Sequence, residues 1–156
     1  MTRIWITNGT PTMPGLLNPV TAACDNGYVP DEARILSNPG VADSVAAASE
    51  MFETIIDAYG GDATASKHSL ETETDFRGII EFYQSTIEAA RENGDTIAVD
   101  VTPGRKFMSA IAFQAGFRFG ADHVYYFYRK SGAYYGDLYA EIPRTATELI
   151  DFTEVM

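Results

Sequence analysis

The fold is decided by the stretch IAVDVTPGRKFM, residues 97–108, which predicts a short apolar strand, a tight turn and the start of a long apolar helix. Thr102 is a good helix N-cap, and Pro103 suits the first helical position, where its missing N–H costs nothing. Gly104 has no side chain, so the backbone at that point can come close to a ligand. The turn is therefore the first candidate for a functional loop.

Two adjacent cations, Arg105 and Lys106, follow this turn. A helix N-terminus exposes free N–H groups and carries a partial positive charge, so the turn and the cations together predict an anion-binding site. The alternative is an ordinary helix start with two solvated cations. A motif this short leaves both interpretations open.

Length and composition predict one globular domain over residues 1–156. A chain of this length buries a full core, and 46% apolar with 21% charged residues is typical of globular proteins. No apolar run approaches the roughly eighteen residues of a membrane span. The first residues favour a strand over a signal peptide, because Asn8-Gly9 interrupts them, and the single Cys24 excludes an internal disulfide. We therefore expect a cytoplasmic protein.

The charge is strongly acidic and unevenly distributed. The net charge is −11, with eight Arg but only three Lys, a composition that resembles proteins of salt-loving archaea. Such a surface argues against broad binding to nucleic acid backbones. Residues 105–130 nevertheless carry five cations and one acid, so this segment is +4 and the remainder is −15. A positive island of this kind predicts a small anionic ligand held in a cleft, although acids placed on the outer helices explain the same pattern.

Predicted strands and helices alternate along the chain. The pattern predicts strands over residues 3–8, 33–37, 63–70, 96–101, 121–129 and 134–142, and helices over 15–26, 41–59, 76–92 and 104–119. This order predicts an α/β fold of three layers, α/β/α, with a mainly parallel sheet of about six strands and a C-terminal antiparallel hairpin. The helix at 104–119 is apolar nearly all round, so we expect it to be buried on several sides, in the core or against a second subunit.

Two polar loops follow the first and fourth strands, at residues 7–15 and 102–106. In parallel sheets covered on both faces, ligands bind beyond the carboxyl ends of the strands, where the strand order reverses. The two loops are therefore expected to face each other across one crevice. The first loop is not a nucleoside-triphosphate loop, because Leu16 and Leu17 stand where Lys and Ser or Thr are required.

Other familiar motifs are missing. The chain has no GxGxxG and no GxSxG, and its two histidines and Cys24 lie too far apart in sequence for a recognisable metal site, so we expect neither a metal nor a cofactor. Asp100 ends a strand, where either a catalytic acid or a loop-capping residue is found. A tyrosine-rich hairpin is suited to stacking on bases or to core and interface packing; its tyrosines are Tyr125, Tyr126, Tyr128, Tyr134 and Tyr135.

The stretch from Asp100 to Met108 resembles the signature of CRISPR-associated Rossmann-fold (CARF) domains. That signature places an acid or amide, a threonine, glycines, a lysine and a methionine after the fourth strand. Thr102, Gly104 and Lys106 match it in register, as does the methionine. Pro103 replaces a usual glycine and Arg105 a usual threonine. The polar loop after the first strand and the order of elements over nearly the whole chain match as well.

The resemblance implies a Rossmann-like homodimer that binds a cyclic oligoadenylate across its two-fold axis in CRISPR antiviral signalling. It also implies a metal-independent ring nuclease, in which a ribose 2′-hydroxyl attacks the adjacent phosphate while Lys106, assisted by Arg105, stabilises the developing charge. The ligand-binding residues carried over are Thr7, Asn8, Gly9, Thr10, Thr102, Pro103 and Gly104.

Two other functions stay open at the level of sequence. The first is a non-catalytic sensor or adaptor, which binds the messenger and passes the signal to a partner. The second is a small α/β enzyme that acts on another phosphorylated metabolite. Product formation separates the first from a ring nuclease, and failure to bind any cyclic oligoadenylate favours the second.

Overall fold

A computed structural model describes all 156 residues and contains one six-stranded sheet with helices on both faces. The strands are β1 (Arg3–Asn8), β2 (Glu32–Ser37), β3 (Thr64–Ser69), β4 (Thr96–Asp100), β5 (His123–Arg129) and β6 (Thr147–Asp151). The helices are α1 (Met13–Asp25), α2 (Ala42–Ala58), α3 (Phe76–Glu92), α4 (Lys106–Phe119) and the single turn α5 (Phe152–Val155). No helix combines the length and the apolar character needed to cross a membrane.

The strand order is β3-β2-β1-β4-β5-β6, and every neighbouring pair is parallel except β5 with β6. The predicted α/β class, the mainly parallel sheet and the C-terminal antiparallel hairpin are confirmed. The chain runs from β1 outward to β3 and then returns to place β4 on the other side of β1. The order therefore reverses between β1 and β4, and this is the point at which such sheets leave a crevice.

Two apolar cores hold the layers together. One contains the inner faces of α3 and α4 against β1, β4 and β5, with Ile79, Tyr83 and Ile97 wholly buried. The other contains α1 and α2 on the opposite face of the sheet, around Trp5 and Phe52. β1 contributes to both cores, which explains why its residues from Ile4 onward form a continuous buried run.

The sequence pattern predicts the sixth strand over residues 134–142, and this prediction is wrong. Two short 3-10 helices, Gly132–Tyr134 and Tyr139–Glu141, occupy this part of the chain, and the strand that returns beside β5 is β6, within the predicted tail. The Asn18 side chain accepts from the Tyr139 N–H and donates to the Asp137 carbonyl, so the segment bonds to α1 instead of forming a ladder. Gly136, at φ 85°, turns the chain just before these contacts.

Helix α4 is less buried than its composition predicts. Only Met108, Ala112, Ala115 and Gly116 are buried, and the apolar side chains on its other faces are partly exposed. The apolar residues on one side of α4 therefore pack in the core, and those on the other side form an apolar outer surface.

Candidate functional site

The loops after β1 and β4 face each other across one crevice, as the sequence predicts. The crevice has a volume of about 540 Å³, within the range of small-molecule sites. Its first wall comes from the β1–α1 loop and the start of α1, its floor from the β4–α4 turn, and its second wall from the end of β5 and the segment after it. Its lining includes Thr10, Thr12, Thr102, Pro103, Gly104, Arg129, Tyr135 and Asp137.

A buried carboxyl group lies beneath the turn. Asp100 is wholly buried, and its two oxygens accept hydrogen bonds from the Thr7 hydroxyl at 2.9 Å and the Thr102 N–H at 3.0 Å. Burial raises the pKa of Asp100 from 3.8 to about 7, and the bonds from Thr102 and Thr7 offset part of that shift. Asp100 therefore ties the end of β1 to the turn after β4.

A second buried contact ties the same loops together. The Asn8 amide donates to the Pro103 carbonyl at 3.4 Å, and its oxygen accepts from the Tyr83 hydroxyl at 2.8 Å. Asn8 and Thr7 are both fully buried and bond to other protein groups, so they position the loops and do not line the crevice. Gly9 is also buried, and a Cβ there would lie 2.7 Å from the Leu36 carbonyl oxygen.

The sequence predicts Thr102 as the N-cap of α4 and Pro103 as its first helical residue, and both predictions are wrong. The helix begins at Lys106, and the Thr102 hydroxyl accepts from the Phe127 N–H at 2.9 Å. The threonine thus joins the turn to β5, where the chain extends beyond the last residue that pairs with β4. Three residues of irregular backbone, from 103 to 105, separate this contact from the helix.

Gly104 has φ 99°, a conformation that residues with a side chain rarely adopt. A Cβ at this position would lie 3.0 Å from the Asn8 Cβ and 3.3 Å from the Met108 Cβ. The turn therefore requires glycine for two reasons, backbone conformation and close packing. Because Gly104 is exposed, its backbone is accessible from the crevice.

The cations of residues 105–130 do not converge on one cleft. Arg105 is exposed beside a neighbouring recess, where its guanidinium makes two hydrogen bonds of 3.1 Å to the Glu73 carboxylate. Lys106 is exposed, forms no salt bridge and does not line the crevice, and Arg118 lies near the far end of α4. Arg129 is the only cation of this segment that lines the crevice. The sequence places Arg129 in the positive segment but does not single it out as a site residue, because the strand pattern alone does not show how far β5 extends beyond β4.

The remaining chemically active side chains lie elsewhere. His123 contacts the Asp151 carboxylate at 2.7 Å, at the start of β5 and away from the crevice, and hydrogen bonds from His123 and Thr153 outweigh burial to lower the pKa of Asp151. His68, on the edge strand β3, stacks on Phe82. No three His, Cys, Asp or Glu side chains lie close enough to share a metal ion.

The chain matches one protein family over two thirds of its length. The matched family model is that of CRISPR-associated protein NE0113, and the match covers residues 35–138, which include the β4–α4 turn and most of the second wall of the crevice. No curated protein matches the chain.

Several solved structures share the fold. A type III CRISPR defence DNA nuclease activated by cyclic oligoadenylate matches 83% of this chain and 19% of its own, with a TM-score of 0.62 at 16% identity. Csm6 of Enterococcus italicus, bound to cyclic hexa-2′-fluoro-hexa-dAMP, matches 85% of this chain and 34% of its own, with a TM-score of 0.59 at 15% identity.

Can2 from Sulfobacillus thermosulfidooxidans, in complex with cyclic tetra-adenylate, matches 80% of this chain and 31% of its own, with a TM-score of 0.52 at 13% identity. The chain thus spans between about a fifth and a third of the length of these three proteins. At these identities the likeness is one of fold.

Proposed function

Because the chain belongs to the family of CRISPR-associated protein NE0113, we propose that its crevice binds a cyclic oligoadenylate, as the resemblance to CARF domains implies. One observation carries the proposal. Two polar loops meet at the switch point of the sheet, in a fold shared with two proteins solved with cyclic adenylates. The predicted membership of a CRISPR-associated family is confirmed. The binding of a cyclic oligoadenylate is what we propose in addition.

The crevice residues divide into two roles under this proposal. Thr10 on the first wall and Thr102 on the floor of the crevice offer hydrogen-bonding groups to the sugar–phosphate backbone of the ring. Pro103 and Gly104 form the floor on which a phosphate rests. Thr7, Asn8 and Gly9 act indirectly, because they are buried and hold both loops in place.

Ring cleavage is the further activity that the resemblance implies. In that reaction the oxygen of a ribose 2′-hydroxyl bonds to the adjacent phosphorus while the bond from phosphorus to the 5′ oxygen breaks. The 2′-hydroxyl proton is transferred to the departing 5′ oxygen, and the product ends in a 2′,3′-cyclic phosphate. Lys106 and Arg105 would stabilise the charge on the phosphate oxygens, since both cations lie directly after the turn.

A sensor that binds without cleaving is the second candidate, and the positions of the cations favour it. Arg105 is held by Glu73, and Lys106 does not line the crevice. Cleavage would therefore require the ring to extend beyond the crevice, or the ion pair to open.

The proposed assembly is a homodimer. The outer surfaces of α3 and α4 carry Phe76, Ile80 and Phe117, which are 49%, 42% and 38% exposed, and Phe76 packs edge to face on Phe107. Exposed apolar side chains on two adjacent helices are typical of a protein interface. Since α4 begins just after the turn, pairing of these surfaces about a two-fold axis would bring two crevices close together.

The proposed setting is CRISPR antiviral signalling in the cytoplasm of a salt-adapted cell. Membership of a CRISPR-associated family supports the role in CRISPR signalling. The net charge of −11 and the scarcity of lysine support the salt-adapted cell, because an acidic, arginine-biased surface resembles proteins that work in concentrated salt.

The experiment is incubation of the protein with labelled cyclic tetra- and hexa-adenylate in molar KCl without added metal, with binding and products followed together. Lys106→Ala is compared with Lys67→Ala, which removes a lysine from the distant edge strand β3. Linear products ending in a 2′,3′-cyclic phosphate, lost only in Lys106→Ala, would establish a ring nuclease. Binding without products would establish a sensor. Absence of binding to either ring would contradict the proposed ligand.

A further inference from the structure

The second wall of the crevice carries an exposed tyrosine over a cation. Tyr135 is 76% exposed, and the guanidinium of Arg129 lies 4.9 Å from the centre of its ring. Both residues line the crevice. A guanidinium covers only one face of a ring, so the other face of Tyr135 remains open to a planar group.

The segment that carries Tyr135 is tethered at both ends. Before it, the Lys130 N–H donates to the Ala146 carbonyl at 2.8 Å. After it, Asn18 on α1 donates to the Asp137 carbonyl at 2.9 Å and accepts from the Tyr139 N–H at 2.8 Å. The tyrosine is thus held at the rim of the crevice by contacts on either side, which reduces the entropy lost when a ligand stacks on it.

Asp137 supplies an acceptor on the same wall of the crevice. It is half-buried and lines the crevice two residues after Tyr135, and its carboxylate makes neither a salt bridge nor a hydrogen bond within the chain. A half-buried carboxylate gains from a donor supplied by a ligand. An exocyclic amino group of a nucleobase is such a donor, whereas a carbonyl at the same ring position is not.

We propose that Tyr135, backed by Arg129, and Asp137 form a nucleobase subsite that selects a purine bearing an amino group. The floor of the crevice is the Thr102–Gly104 turn, which suits an anion, so the floor and the second wall together fit a ligand with a planar base and a phosphate. A simple phosphate or a sugar phosphate would occupy only half of this crevice. The proposal rests on the proposed function for its ring-shaped ligand, but the base and its stacking partner are tested separately.

The experiment measures affinities by calorimetry for cyclic tetra- and hexa-adenylate, AMP, IMP and ribose 5-phosphate. Tyr135→Ala is compared with Tyr135→Phe, which keeps the ring, and with Tyr59→Ala, which removes a partly exposed tyrosine from the end of α2. We expect Tyr135→Ala to weaken binding of the cyclic adenylates about tenfold, the usual effect of losing one stacked base. Tyr135→Phe and Tyr59→Ala should bind as the unaltered protein does.

Asp137→Asn tests the acceptor. The unaltered protein should bind AMP more tightly than IMP, which has a carbonyl in place of the amino group, and Asp137→Asn should remove that preference. Tyr135→Ala binding the cyclic adenylates with unchanged affinity would overturn the subsite while leaving the proposed function intact.

If the protein binds neither ring, the proposed function fails and the subsite is judged on the mononucleotides alone. A preference for AMP over ribose 5-phosphate that Tyr135→Ala abolishes would sustain it. Equal affinity for the two compounds, or binding of neither, would overturn it.

Discussion

The Thr7 hydroxyl donates a 2.9 Å hydrogen bond to the Asp100 carboxylate, and this bond joins the ends of the two central strands beneath the crevice. The same carboxylate accepts from the Thr102 N–H, so one buried acid sets the position of both loops. The proposed ligand site is therefore supported from below by a polar group that a ligand does not reach.

This buried acid makes the stability of the protein depend on pH. The pKa of Asp100 is raised from 3.8 to about 7, so the folded state holds this proton more tightly than the unfolded state does. The resulting stability is complete below about pH 4 and is lost as the pH rises through about 7. Asp100→Asn stays neutral throughout and keeps one accepting oxygen. Between those pH values, its free energy of unfolding should rise relative to that of the unaltered protein by about 1.4 kcal/mol per pH unit.

The measurement is urea denaturation of both proteins across the pH range in the same salt. Taking the difference between the two proteins removes the contribution of the other carboxylates. A difference that does not change with pH would contradict the role given to Asp100.

Gly104→Ala should damage both the fold and the site. At φ 99° an added side chain is strained by about 1–3 kcal/mol, and its Cβ would also press on Asn8 at 3.0 Å. Gly27→Ala is the matched control, because Gly27 has φ 98° and no atom within 4 Å of an added Cβ. Thermal unfolding should show a loss in both variants, and calorimetry should show weaker ring binding only in Gly104→Ala. Equal ring binding by the two variants would contradict the close packing assigned to the turn.

Glu73→Gln should tighten binding of an anionic ligand. The Glu73 carboxylate now occupies Arg105 through two hydrogen bonds, so removing its charge frees the guanidinium for phosphate. Exposed ion pairs of this kind contribute little, and the gain in affinity should be up to about fivefold. Glu32→Gln changes the net charge equally and breaks the exposed pair with Arg34, at the other end of the sheet. A gain seen equally in both variants would show that only net charge matters.

Ile80→Glu should separate the proposed dimer. Ile80 is 42% exposed on the outer face of α3, and a carboxylate buried there without a partner would oppose association. Met51→Glu introduces the same charge at a side chain that is 40% exposed on α2, on the opposite face of the sheet. Sedimentation should give a monomer for Ile80→Glu and a dimer for Met51→Glu. A dimer in both variants would place the interface elsewhere.

Most of the fold follows from local pattern. The strand Arg3–Asn8 and the helix Phe76–Glu92, with its cap at Asp75, lie where periodicity and capping rules predict them. The wrong sixth strand has a physical reason. Tyrosines at 134 and 135 favour extended chain, but the two hydrogen bonds of Asn18, more than a hundred residues away in sequence, decide the structure there.

The site was predictable only in part. The turn at residues 102–105 and its position at the switch point follow from a local motif and the order of elements. The hydrogen bond from the Phe127 N–H to Thr102 could not be predicted in this way. A local capping rule assigns the Thr102 hydroxyl to the helix, whereas in the structure a contact between distant segments uses it. Arg129 and Tyr135 belong to the crevice only because β5 extends beyond β4, and no local pattern indicates that overhang.

The most direct test is calorimetric titration of the unaltered protein with cyclic tetra-adenylate and cyclic hexa-adenylate in molar KCl. We expect saturable binding of at least one ring, with one ring taken up for every two chains. A folded protein, verified by circular dichroism, that binds neither ring would contradict the central claim.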